Sequence, residues 1–141
     1  MRKIFDSWAA GGELPAIVNR LGLRLLSYAP DHVTLEMHVG PEHANPMGTL
    51  HGGVLCDLAD AALGTAFASG LADGETMTTI DLKMNFFRPF WSGLIRAEGN
   101  VIRRGHTLGY VECELTDERG RVIAKSASTM MTLRGEKAEG R

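Results

Sequence analysis

Residues Asn45 to Asp60 carry side chains and backbone groups whose types and spacing suit chemistry at a carbonyl carbon: Asn45-Pro46-Met47-Gly48-Thr49-Leu50-His51-Gly52-Gly53-Val54-Leu55-Cys56-Asp57-Leu58-Ala59-Asp60. Two glycines at the start of a helix leave its first-turn N–H groups sterically open, and those groups have no partner inside the helix. A bare helix N-terminus adds about half a positive charge, which suits a carbonyl oxygen becoming an oxyanion. The complementary requirement is a carboxylate about two turns down the same helix, and Asp60 is eight residues beyond Gly52 on an otherwise apolar segment. An unpaired buried acid is costly, so Asp57 and Asp60 are the residues to explain. A plainer account stands beside each functional one. Asp57 and Asp60 can mark where the helix surfaces, with Asp57 a dipole partner for the first turn. His51 can be a capping or loop histidine, and Gly52-Gly53 alone is a tight turn.

These groups need a helix to carry them and a layer to bury it. From Gly52 to Ser69, Val54, Leu55, Leu58, Ala59, Ala62, Leu63, Ala66 and Phe67 recur at helical spacings, with Gly70 as the expected C-cap. A helix this apolar, with only Asp57 and Asp60 charged, is expected to be enclosed by other structure. On either side the pattern alternates with period 2. Leu23, Leu25 and Ser27, then Val33, Leu35, Met37 and Val39, read as a hairpin beginning near Leu21 and turning at Pro30-Asp31, followed by a loop from Pro41 to Thr49. Four more strand-like runs follow the helix: Met77 to Phe87, Gly93 to Arg104, Leu108 to Asp117 and Val122 to Leu133. Strand, strand, long helix, four strands predicts an α+β architecture in which one curved antiparallel sheet of about five to six strands wraps a central helix. Residues 1–20, broken at Gly11-Gly12 and Pro15, read as an N-terminal helical segment, 21–134 as the main domain and 135–141 as a frayed polar tail.

Composition limits the partners. The 141 residues make one domain, and 15 Lys+Arg against 17 Asp+Glu give no bulk attraction to nucleic acid or anionic lipid. The N-terminus lacks a signal-peptide pattern and no run is apolar enough to span a membrane. Cys56 and Cys113 read as two buried thiols, so a reducing, cytoplasmic location is expected. His32, His38, His43, His51 and His106 show no metal-ligand spacing, and there is no Gly-x-Ser-x-Gly elbow. No metal and no cofactor are expected.

His-Gly-Gly opening a long apolar helix, with an acid nine residues after the His and an Asn six before it, resembles the hotdog-fold acyl-CoA thioesterases of the phenylacetate-degradation type. The resemblance runs from about Leu21 to Leu133 and includes Thr79-Ile80-Asp81-Leu82-Lys83-Met84-Asn85-Phe86-Phe87-Arg88-Pro89 and Arg103-Arg104-Gly105-His106-Thr107-Leu108. It implies Asp60 as general base or nucleophile and the Gly52 N–H as donor to the thioester oxygen, with Gly53 allowing close approach. It further implies Asn45 orienting the water or carbonyl, His51 shaping the loop, and a Thr79 hydroxyl from the opposite subunit near the water. The coenzyme A nucleotide is expected along Arg103, Arg104, Gly105, His106, Thr107 and Leu108, with Asp81 and Arg88 nearby; coenzyme A is then part of the substrate. Read without the family, Arg103-Arg104-Gly105 is either a phosphate-binding turn or an ordinary hairpin with solvated charges.

Met84, Phe86, Phe87, Phe90 and Trp91 line an acyl pocket or fill the core and interface, while Leu94, Ile102, Val111, Met130 and Met131 are assigned to packing. The run Met77 to Phe87 should form an exposed sheet edge, which invites pairing. The resemblance implies a homodimer through that strand, with dimers paired into tetramers in some members. Two other readings stay open: a non-catalytic acyl-CoA-binding module, which would not need the acid and usually carries a DNA-binding segment, and a hotdog hydratase or dehydratase.

Overall fold

In the computed structural model, which describes residues 7, 8, 10–12 and 14–139, the alternating runs become strands and the apolar run a helix. Trp8 is buried against the core, while the rest of the expected 1–20 segment is described only in part, residues 1–6, 9 and 13 lying outside the described residues. A short helix, α1 (Ala16–Leu21), ends on Gly22 at φ 63°, the left-handed conformation that stops a helix. The first hairpin therefore starts later than its pattern implies: Leu21 closes α1, and β1 (Arg24–Ala29) pairs with β2 (His32–Val39) across Pro30-Asp31. The Pro41 to Thr49 loop contains a 3-10 turn over Pro41–His43.

Helix α2 spans Gly52–Ser69, as its periodicity predicts. After it come β3 (Thr76–Thr79), β4 (Lys83–Phe86), β5 (Gly93–Arg104), β6 (Leu108–Asp117) and β7 (Val122–Leu133). They form one antiparallel sheet of seven strands in the order β1-β2-β5-β6-β7-β3, with β4 also paired to β7. The sheet wraps α2 in the hotdog arrangement. Val33, Leu35, Met37, Ile95, Ala97, Val111, Leu115 and Met130 meet Leu58, Ala62, Leu63, Ala66 and Phe67 in the core. Each large apolar side chain so buried contributes about 1.5–3 kcal/mol.

The single edge strand expected over Met77 to Phe87 is two strands. Thr79 pairs with Met130 and Lys83 with Ala127, so three residues, Ile80 to Leu82, lie opposite Ser128 and Thr129. One extra residue is a β-bulge, and it inverts which side chains face inward. Asp81 clasps it: the Thr129 N–H donates to Asp81 Oδ1 at 2.7 Å, the Thr129 hydroxyl donates to Oδ2 at 3.2 Å, and the Ser128 hydroxyl donates to the Asp81 carbonyl at 2.7 Å.

A second bulge, between Val101 and Arg103, inverts β5 near its end. Ile102, expected to pack, is 58% exposed there, and Arg104 turns inward over the Phe67 ring, 4.1 Å from its centroid. Its guanidinium donates to the Phe67 carbonyl at 2.6 Å and pairs with Asp31. Gly70 does cap α2, at φ −99°, and what requires glycine is space: a Cβ there would lie 2.7 Å from Arg104 Nη2.

The helix is only half enclosed. Residues 62–69 are buried, whereas Gly53, Asp57 and Asp60 are exposed on a bare face. Phe86, Phe87 and Trp91 are also exposed, so in the single chain they are not core, while Phe90 is buried. Cys113 is buried as expected, but Cys56 is only half-buried. Gly135–Ala138, read as a frayed tail, forms a 3-10 turn, and residues 140 and 141 lie outside the described residues.

Candidate active site

The loop that delivers the chain into α2 is built by Asn45. Its Oδ1 accepts from the N–H groups of Met47 at 2.9 Å and Thr49 at 3.2 Å, and its Nδ2 donates to the Thr49 hydroxyl at 2.9 Å. Asn45 thus spends most of its hydrogen-bonding capacity shaping residues 45–49. His51 is the N-cap: its Nδ1 accepts the Gly53 N–H at 2.9 Å, which leaves Nε2 as the protonated ring nitrogen. The capping account of His51 and its loop-shaping account thus describe one contact. A Cβ on Gly53 would sit 2.9 Å from His51 Nδ1, so this glycine is what lets the ring fold over the helix start.

With Gly53 capped, the Gly52 N–H is left without an acceptor among the described residues. Gly52 lines a pocket of about 290 Å³ together with Leu50, Leu55, Phe86, Phe87, Arg88 and Phe90. The Phe86 ring packs on Gly52, where a Cβ would meet it at 3.2 Å. An open N–H at the positive end of an 18-residue helix, in an apolar pocket, can stabilise a developing oxyanion.

The acid lies elsewhere on the same face. Asp60 is exposed, and its Oδ1 accepts the Thr79 hydroxyl at 3.2 Å, leaving Oδ2 for another partner. Thr79 was expected from an opposite subunit; it meets Asp60 within one chain. The Asp81 bulge explains the pairing of the two ends. Without the extra residue the face carrying Thr79 would continue through Phe87; with it, Phe86 comes onto that face, so Thr79 reaches Asp60 while Phe86 reaches Gly52. Asp81 itself holds Thr129 through both carboxylate oxygens.

Gly52 and Asp60 are eight residues apart on one straight helix, a separation of roughly 12 Å. A carbonyl oxygen held at the Gly52 N–H therefore lies at the opposite end of that span from the Asp60 carboxylate of the same chain.

The 103–108 turn divides by role. Arg103, Gly105, His106, Thr107 and Leu108 are exposed at the β5–β6 hairpin, where the Gly105 N–H donates to the Leu108 carbonyl at 2.8 Å. Arg104 is bound to the end of α2, leaving Arg103 as the cation of this turn that faces solvent. Arg88 is exposed near the Gly52 pocket. Burial and the neighbouring Asp57 push the Cys56 thiol up, and burial pushes Cys113 to about 12, so neither supplies a thiolate at neutral pH. Among the described residues no group of three His, Cys, Asp or Glu side chains gathers as metal ligands would, and no helix is long and apolar enough to cross a membrane.

A broad concavity of about 910 Å³ lies on the outer face of the sheet among Lys83, Glu98, Tyr110 and Glu112. It includes neither Asp60 nor Gly52, and its mixed charges are those of a solvated sheet face. A smaller groove of about 330 Å³ adjoins Asp60 and involves Trp8, Ile17, Gly64 and Met77, none of them among the sequence-derived site residues. The available signal was register: Met77 lies two residues before Thr79 and so shares its inward face.

A family model described as the thioesterase superfamily matches residues 47–124. Human acyl-coenzyme A thioesterase 13 is 32% identical over 109 residues, covering 76% of this chain and 77% of its own length. A thioesterase of Haemophilus influenzae superposes with a TM-score of 0.79 at 26% identity, over 84% of this chain and 82% of that one. A phenylacetic acid degradation-related protein of Ralstonia eutropha superposes with a TM-score of 0.83 at 26% identity, over 91% and 98%.

Proposed function

The chain belongs to the thioesterase superfamily, and from that membership we propose that it hydrolyses an acyl-CoA thioester, with Asp60 as the base and the Gly52 N–H as the oxyanion donor. The observation that carries this reading is an unclaimed Gly52 N–H at the start of the helix that also carries a Thr79-held carboxylate. The carboxylate takes a proton from water as the water oxygen bonds to the carbonyl carbon. Negative charge gathers on the carbonyl oxygen, where the N–H and the helix dipole stabilise it. Collapse breaks the C–S bond, and the departing sulfur takes up the proton, giving free acid and the coenzyme A thiol. A thiolate is a good enough leaving group that a base and a polarised carbonyl suffice.

Because roughly 12 Å separates the two groups along the helix, the productive site combines one chain's Gly52 with the partner's Asp60. Two copies related by a two-fold axis satisfy this when their α2 helices run antiparallel. The surfaces such a dimer would cover are the bare face of α2 and the β3–β4 edge, which exposes Ile80, Leu82, Phe86 and Phe87. The exposed Arg103 is suited to a phosphate of the nucleotide.

The test is release of coenzyme A thiol from a panel of aryl and fatty acyl-CoAs by the wild type and Asp60→Asn. Loss of the base lowers turnover by about 10² to 10⁴. Equal turnover by both proteins would remove Asp60 from the mechanism.

A further inference from the structure

Beginning at Asp60 and running away from Gly52, a groove of about 330 Å³ follows α2 toward its C-terminal end. Ala61, Gly64 and Ala68 form its floor, Met77 of β3 one wall, and Trp8 and Ile17 the other. Among the described residues that line it Asp60 is the only charged one, and it stands at the mouth. Trp8 is 8% exposed, so that wall is anchored in the core, whereas Ile17 at the lip is exposed. Met77 Cε packs over Gly64, where a Cβ would lie 2.9 Å from it.

From this continuity we infer that the groove receives the acyl chain of the substrate and that Gly64 and Met77 set the chain length the protein prefers. The inference rests on the hydrolase reading: a carbonyl attacked by water beside Asp60 must send its acyl tail away from the carboxylate, and this apolar channel opens there. Apart from the Thr65 hydroxyl and Asp60 at the mouth, such a lining offers a polar acyl group no partner and gains by burying methylenes. From Asp60 to Ala68 the floor is roughly 12 Å long, which accommodates a straight chain of about eight to ten carbons at ordinary bond lengths.

Straight-chain acyl-CoAs from acetyl to myristoyl test this, with kcat/KM measured for the wild type, Gly64→Leu and Met77→Ala. Wild-type kcat/KM rises about three- to fourfold per methylene and levels off near eight to ten carbons. Gly64→Leu, which fills the floor, lowers the octanoyl-to-acetyl preference by about 10- to 100-fold. Met77→Ala, on a different element, opens the wall and moves the plateau to longer chains. A flat wild-type profile overturns the inference, as does either variant changing every length in the same proportion. If the wild type releases coenzyme A from no acyl-CoA of any length, the hydrolase reading itself fails, an outcome distinct from loss of length dependence in an active protein.

Discussion

The Thr79 hydroxyl donates to Asp60 Oδ1 at 3.2 Å, tying the exposed carboxylate of α2 to the edge strand beside it. One carboxylate oxygen is held and the other is free, a fixed orientation for a group that must take a proton from water. The contact lies within a single chain, and in the shared site proposed above this pair faces the partner's Gly52 N–H.

Removing that hydroxyl while keeping the side chain's shape isolates the contact. Thr79→Val lowers kcat by about 3- to 10-fold, the worth of one hydrogen bond, and Thr79→Ser restores it. Steady-state kinetics of both variants check this. A valine variant as active as the serine one would mean that the hydroxyl does not position Asp60.

The Asp81 bulge sets the register that brings Thr79 and Phe86 to the same helix. Asp81→Ala strands the Thr129 N–H and hydroxyl, lowers stability by about 1–3 kcal/mol and lowers kcat as well. Asp81→Asn retains an acceptor for the Thr129 N–H and loses much less of both. Denaturant melts alongside turnover provide the reading, and loss of activity in Asp81→Ala at unchanged stability would point instead to ligand contact by Asp81.

Arg103 and Arg104 are neighbours with separable duties. Arg103→Ala raises KM for an acyl-CoA by about 3- to 10-fold at an unchanged melting temperature. Arg104→Ala leaves the Asp31 carboxylate without its ion-pair partner and takes one of two hydrogen bonds from the Phe67 carbonyl, so it lowers stability by about 1–3 kcal/mol. Reversed effects would assign Arg104 to the ligand.

Asp117 should contribute to acid sensitivity. Burial disfavours its charge, but hydrogen bonds from the Arg121 and Arg119 N–H groups and the Arg121 guanidinium outweigh burial and hold the carboxyl below its usual range. A folded-state value below the unfolded one adds stability that is fully present above the ordinary carboxylate value of about 3.9 and is lost as pH falls through the folded value. Urea melts between pH 2 and 6 should therefore show a shallower acid slope for Asp117→Asn than for the wild type. Identical slopes would exclude this group as the source.

Much of this was readable from residue order alone, for a physical reason. The α2 boundaries, the Asp60 position and the exposed edge follow from local periodicity and from glycine and histidine chemistry at a helix start. The Asp81 clasp and the inward turn of Arg104 do not, because each depends on a one-residue bulge. A bulge is decided by pairing with a distant strand, Ser128 and Thr129 for one and Val111 and Tyr110 for the other. The same distance in sequence hid the groove, whose walls come from Trp8, α1 and β3.

The central claim is that the oxyanion donor and the base on one thioester come from different chains, and mixing two inactive variants tests it most directly. Gly52→Pro removes that N–H at a first helical position, where proline is tolerated, and His51 at φ −66° and ψ 130° suits the residue before a proline. Asp60→Asn removes the base. Unfolded and refolded together in equal amounts, the two form mixed dimers in which one of two sites is intact, so activity returns to about one quarter of wild type. No recovery above the separate variants, with mixed dimers demonstrated, would contradict a site shared between chains.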